Sequence, residues 1–175
     1  GTGTGYFKNE TDYAIDMTSL LQKDSPVALG EEGVQVLIMH THGTEAYTQS
    51  PGHAYVASGE YRTTDSSANM LRVGQEICDI LNDRGISAVH SRTLNDYPAY
   101  NGSYNRALKD IQAHIQQYPT IQLVIDVHRD AIATGNTTYA KVIVVYKNLC
   151  LGRCLQLWHH LCHEPLCHLL VSPHI

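Results

Sequence analysis

No run of lysine or arginine occurs anywhere in the 175 residues, and the formal net charge at pH 7 is −5. A nucleic-acid-binding domain carries a clustered basic face, and a polybasic membrane contact needs the same charge. Both are disfavoured, so nucleic acid is not an expected partner. No apolar stretch reaches the about 18 residues that span a bilayer as a helix, so no membrane anchor is expected within the chain. It begins at Gly1 rather than Met, and any targeting segment would lie upstream. Cysteine is almost missing from the body, with only Cys78 before residue 149. That excludes a disulfide framework there, and Cys78, set in a helical apolar pattern, reads as a small buried side chain. Charged residues make up 17% of the chain and hydrophobic residues 43%. This is the balance of a globular protein, and the length suffices for one domain with a sizeable core.

The apolar patterning alternates between strand and helix. Residues 1–32 are polar and Gly-rich at the start, with "IDMTSLL" a short strand or helical turn. "VQVLIMH" (34–40) is a continuous apolar run, as in a strand of a parallel sheet covered on both faces. A long loop rich in Gly, Ser, Thr and Tyr follows to about residue 64, and loops of that length in compact domains usually serve function. Met70, Val73, Ile77, Ile80 and Leu81 then recur at helical spacing. Asp65 or Ser66 is the expected cap and Gly85 the expected left-handed residue after the helix. "ISAVH" (86–90) is the next strand. A second helix runs from a Ser103 cap to about Gln117, with Leu108, Ile111 and Ile115 inward and Pro119 as its stop. Strands at 121–128 and 139–146 complete an α/β order, and right-handed crossovers make the sheet mostly parallel.

In such sheets ligands gather beyond the carboxyl ends of strands. Two strands here end in histidine-bearing segments: "HTHGTE" (40–45) and "HRD" (128–130). If the strands are neighbours, both open on one rim. Zinc hydrolases commonly use three protein ligands and leave a position for water, and His42, Glu45 and His128 supply such a set. His40 is the rival first ligand, since strand alternation would send it to the same side as His42, and Asp65 is the rival carboxylate. Asp126 or Asp130 would orient an imidazole from behind. Taken singly, each histidine reads as readily as a polar rim residue. Arg129 would hold a substrate carboxylate or pair with Asp126 or Asp130. The tyrosines at 47, 55, 61, 97, 100 and 104 would line a saccharide or peptide cleft, or pack as ordinary loop residues. His53, His90 and His114 have no evident partner.

Four stretches, "VLIMHTHGTEAY", "YRTTDSSANMLRVGQEICDIL", "NDYPAYNGSYNRA" and "IDVHRDAI", together resemble the stage II sporulation protein P family, over about residues 5–146. The resemblance implies an amidase-like α/β fold and a zinc-dependent N-acetylmuramoyl-L-alanine amidase. Such an enzyme cuts the amide between muramic acid's lactyl group and the stem peptide, and also acts as an endopeptidase. It implies work on peptidoglycan at the outer face of the cytoplasmic membrane during engulfment, with a lytic transglycosylase partner and an N-terminal anchor absent from this chain. Carried onto this sequence, the histidine of "HTHGTE" (His42 in preference to His40) and His128 are the expected zinc ligands, with Glu45 the carboxylate.

The resemblance stops near residue 146. The expected domain is therefore 1–148, incomplete at its C-terminal end, followed by an atypical Leu/Cys/His-rich tail at 149–175. That tail holds four of the five cysteines and five of the eleven histidines, and its only charged residues are Arg153 and Glu164. The cysteine spacings lack the paired pattern of a zinc site, and a membrane-surface helix would need a basic face. A shifted reading frame or misjoined gene end is the favoured reading; translating the other frames across codons 140–175 decides it. The late glutamate that the family uses as general base is then missing, and the catalytic base of this chain is unassigned. Two alternatives to an active amidase follow: a degenerate domain that binds peptidoglycan or a partner without cutting, and a zinc carboxypeptidase.

Overall fold

The computed structural model describes residue 22, residues 27–30 and 32–129, and the backbone of 140–146. "IDMTSLL", Asp130 and the tail lie outside the described residues. Four strands form one sheet in the order β2-β1-β3-β4: β1 Val36–Met39, β2 Ala88–His90, β3 Leu123–Arg129 and β4 Ala140–Tyr146. β1 pairs parallel with β2 and β3, and β3 pairs antiparallel with β4. The α/β expectation holds, with three parallel strands and one reversed. β1, β2 and β4 lie within their expected runs, shorter by one or two residues at one or both ends, whereas β3 starts two residues later than expected and runs one residue further, to Arg129.

The helices are α1, Met70–Asp83, and α2, Ser103–Gln117. They cover opposite faces of the sheet, which explains why β1 is apolar at every position. Its side chains alternate. Leu37 and Met39 pack with Ala107 and Ile111 of α2, together with Ile121 and Val124. Val36 and Ile38 pack with Cys78 of α1 and with Val127. Every β1 side chain is fully buried.

Two cap assignments are corrected. Asn69 caps α1, its side chain accepting the Leu71 N–H at 3.0 Å while its amide donates to Thr63 O. Asp65 is spent on a separate turn, accepting from Ser67 N and Oγ. Gly102 (φ 82°), not Ser103, precedes α2, and Ser103 is its first residue. Gly85 is left-handed (φ 78°) as expected, with its N–H on Asn82 O.

Gly74 shows how closely α1 approaches the sheet. A Cβ there would collide with His40 Nε2 and stand 2.7 Å from His90 Nε2. Both rings are held inside the structure, so neither can swing away freely. Gly74→Ala is therefore expected to destabilise the domain by about 1–3 kcal/mol, an overpacking effect that exceeds alanine's better helix propensity. Denaturant unfolding checks it; a stabilised variant would show that the histidines yield.

Candidate functional site

The chain passes from β1 to β2 on one side, then crosses over β1 to reach β3 on the other. The carboxyl ends of β1 and β3 thus flank the point where the strand order reverses, the usual place for a ligand crevice in such sheets. The segments after β1 and at the end of β3 meet there.

β1 stops at Met39, and residues 41–44 turn, with Glu45 N bonded to His42 O at 3.2 Å. This overturns the expectation that alternation sends His40 and His42 to one side. His40 remains under α1. Its Nδ1 contacts Val127 O and its Nε2 contacts His90 Nε2, both at 2.9 Å. Both nitrogens are occupied within the fold, which explains His40 as a structural residue. His42 instead crosses to the α2 side. It stacks on Tyr100 (centroids 4.7 Å apart) and meets Tyr104 and His128 edge-on, each at 5.3 Å.

His128 lies between two carboxylates. Its Nδ1 is 3.8 Å from Glu45 Oε2, and its Nε2 is 3.0 Å from Asp126 Oδ2, an ion-pair contact off the direction of a proper hydrogen bond. Asp126 is fully buried and accepts from Thr41 N (2.9 Å) and Thr41 Oγ1 (2.6 Å). Glu45 accepts the Arg129 N–H at 3.1 Å and stands 3.7 Å from Arg62. The sequence therefore brings His42, Glu45, His128 and Asp126 together. Asp65 is not among them, being fully exposed and turned to Ser67. Arg129 does not take up the structural pairing considered for it with Asp126. Its Nη2 donates to Tyr61 O, and its guanidinium lies 5.7 Å from the Tyr61 ring centroid.

The protonation states follow from burial against charge. Burial would push the His128 pKa down, but Asp126 and then Glu45 outweigh it and raise it to about 10. Burial would raise Asp126, yet the His128 charge and the Thr41 donors hold it at about 2. Glu45 is also held below its usual value, because His128, His42 and the Arg129 N–H overcome its desolvation. His42 and His40 are lowered, chiefly by burial. His90 falls to about 4 through burial, then repulsion from His40 and Arg92.

Among the described residues, no three His, Cys, Asp or Glu side chains stand as a formed metal-ligand set. His128 spends its nitrogens facing Asp126 and Glu45. The donor chemistry nonetheless fits zinc: two imidazoles and a carboxylate, with His42 Nδ1 buried and lacking a hydrogen-bond partner. Buried polar atoms rarely go unsatisfied.

Several residues without an assigned role prove structural to this site. Asn95 donates to His40 O. Asp96 is buried and accepts from Thr44 N, Thr44 Oγ1 and Arg62. His90 braces His40 and contacts Gln75. Asn95, Asp96, Tyr100 and Tyr104 all come from "NDYPAYNGSYNRA". Four side chains of that stretch reach the β1 turn, which no local periodicity announces.

Together these features define an α/β domain with a buried histidine–carboxylate cluster at its topological switch point. The chain belongs to the stage II sporulation protein P family, a family of sporulation proteins, whose model matches residues 6–148. It is 29% identical to the Stage II sporulation protein P of Bacillus subtilis (strain 168), over 71% of this chain and 33% of that protein. The chain thus spans about a third of the length of this curated relative. No solved structure matches it. Among the described residues no helix is long and apolar enough to cross a membrane.

Proposed function

We propose that this chain is the catalytic part of a zinc-dependent peptidoglycan hydrolase of sporulation, an amidase and endopeptidase. It would act on muramoyl-peptide amide bonds at the outer face of the cytoplasmic membrane during engulfment, with a lytic transglycosylase as partner. The observation that carries this reading is the gathering of His42, Glu45 and His128 at the switch point, in a chain of a sporulation family. A zinc ion held there would supply Lewis acidity towards a scissile carbonyl and towards water. His42 and His128 would give neutral nitrogens and Glu45 its carboxylate, with Asp126 behind His128 as the orienting acceptor. Arg129, joined to Glu45 through its N–H, would take a substrate carboxylate.

No general base is assigned among the described residues. Asp96 is engaged by Thr44 and Arg62, and His128 and Glu45 are taken up by the proposed metal set. This favours a second reading, a domain that holds zinc and peptidoglycan without cutting. Metal content and release of stem peptides from purified cell wall, measured on the same preparation, test both. Stoichiometric zinc with turnover supports the first, zinc without turnover supports the second, and no zinc removes both. A freed C-terminal residue among the products would instead indicate a carboxypeptidase.

Zinc binding should depend on pH through one proton. Before the metal binds, His128 is protonated below about pH 10, while His42 is neutral and Glu45 ionised through the neutral range. Coordination must expel the His128 proton. Apparent zinc affinity is expected to rise about tenfold per pH unit above pH 6.5 and to level off near 10. Chelator-competition titrations check it. A flat profile would mean that His128 gives up no proton.

A further inference from the structure

We infer that Tyr104 is a positioning residue for the metal site, fixing His42 so that Nδ1 is the atom it presents; this rests on the zinc reading above. His42 is 4% exposed, and its two nitrogens have different surroundings. Nε2 lies 3.3 Å from the Tyr104 hydroxyl and 3.4 Å from that of Tyr100, whereas Nδ1 is buried with no partner. A neutral imidazole carries one N–H and one lone pair. A phenol can donate or accept, but an N–H at Nδ1 would be buried with no acceptor, so the proton is assigned to Nε2, which donates to the Tyr104 hydroxyl, and the lone pair at Nδ1 is left to point at a cation. Outer-sphere acceptors commonly fix a metal-binding histidine in this way.

The two tyrosines are not equivalent. The Tyr100 ring lies nearly parallel to the imidazole, at 10°, and is half exposed. Its contribution is a packing face. Tyr104 approaches edge-on at 79° from the first turn of α2, a rigid element whose Ala107 and Ile111 are locked into the core. Arg106, two residues on in the same turn, donates from Nε to Asn95 O at 2.6 Å and also donates to Ala99 O and Asn101 O. The guanidinium thereby clamps the loop that carries Tyr100, and the same helical turn sets the hydroxyl that meets Nε2.

Tyr104→Phe tests the assignment, because it removes one oxygen and keeps the ring. In the full chain, zinc affinity by chelator competition should fall about 10–100-fold, while the thermal midpoint of the metal-free protein stays within a few degrees. Tyr100→Phe should change affinity less than about threefold. Nitrogen-15 NMR of the imidazoles in the metal-free protein supplies a readout independent of metal. His42 should be the Nε2–H tautomer in the wild type, and Tyr104→Phe should mix the two tautomers. Unchanged zinc affinity in Tyr104→Phe, or an Nδ1–H tautomer in the wild type, overturns the assignment while leaving the zinc reading intact. A wild-type chain that takes up no zinc at any pH overturns the zinc reading itself, and with it this one.

Discussion

His128→Ala is expected to lose stoichiometric zinc and, with it, any release of stem peptides from cell wall. Its loss differs in kind from that of an orienting partner, which lowers metal affinity by about 10–100-fold. One of three proposed ligands disappears, and His42 and Glu45 alone do not make the set of a zinc hydrolase. Zinc content is the better readout than turnover. A general base contributes roughly 10²–10⁴-fold and none is assigned among the described residues, so zinc content separates loss of the ligand from the state of the base. The comparison variant is His40→Ala. His40 is equally buried and next to the same turn, but both its nitrogens are spent on Val127 O and His90. It should unfold more easily yet keep its zinc while folded. If His128→Ala retains zinc at wild-type affinity and His40→Ala loses it, the ligand assignment is reversed.

The contrast between these two histidines marks where the sequence was legible. The apolar runs at 34–40 and 121–128, and the helical spacing from Met70 to Leu81, are decided by burial against the two faces of one sheet. Burial leaves a period that can be counted. From those runs alone the α/β order follows, and with it the rim where His42 and His128 meet. The sides taken by His40 and His42 were not legible, because the strand ends one residue before His40. Period-two reasoning fails where a turn begins, and whether a turn begins depends on the Asp126 carboxylate that receives Thr41 N from 85 residues away. The cap of α1 was misplaced for a similar reason. Asp65, Ser66 and Asn69 are all competent caps by type, and Asn69 is selected because its amide also reaches Thr63 O. The roles of Asp96, Tyr100 and Tyr104 depend wholly on contacts between distant segments.

Asp126→Ala should be the most destabilising single change in the metal-free protein, by about 3–5 kcal/mol, the range for breaking a buried ion pair by removing one partner. That is a large fraction of the roughly 5–15 kcal/mol that holds a domain folded. Three groups lose their acceptor at once: Thr41 N, Thr41 Oγ1 and the His128 imidazolium. Asp126→Asn separates these effects, since an amide can still serve both Thr41 groups but carries no charge for His128; it should cost less than the alanine variant. The pH dependence identifies the pair. The folded pKa of His128 is raised from 6.5 to about 10, so its contribution is complete below pH 6.5 and is lost as pH rises to about 10. The folded pKa of Asp126 is lowered from 3.8 to about 2, so its contribution is complete above pH 3.8 and is lost as pH falls to about 2. The stability difference between wild type and Asp126→Ala should therefore be widest between about pH 4 and 6.5 and narrow towards pH 10. Urea unfolding of both proteins at pH 5, 7 and 9 measures it. A difference that does not narrow at pH 9 would mean that Asp126 acts through Thr41 alone, and that His128 is not held charged between the two carboxylates.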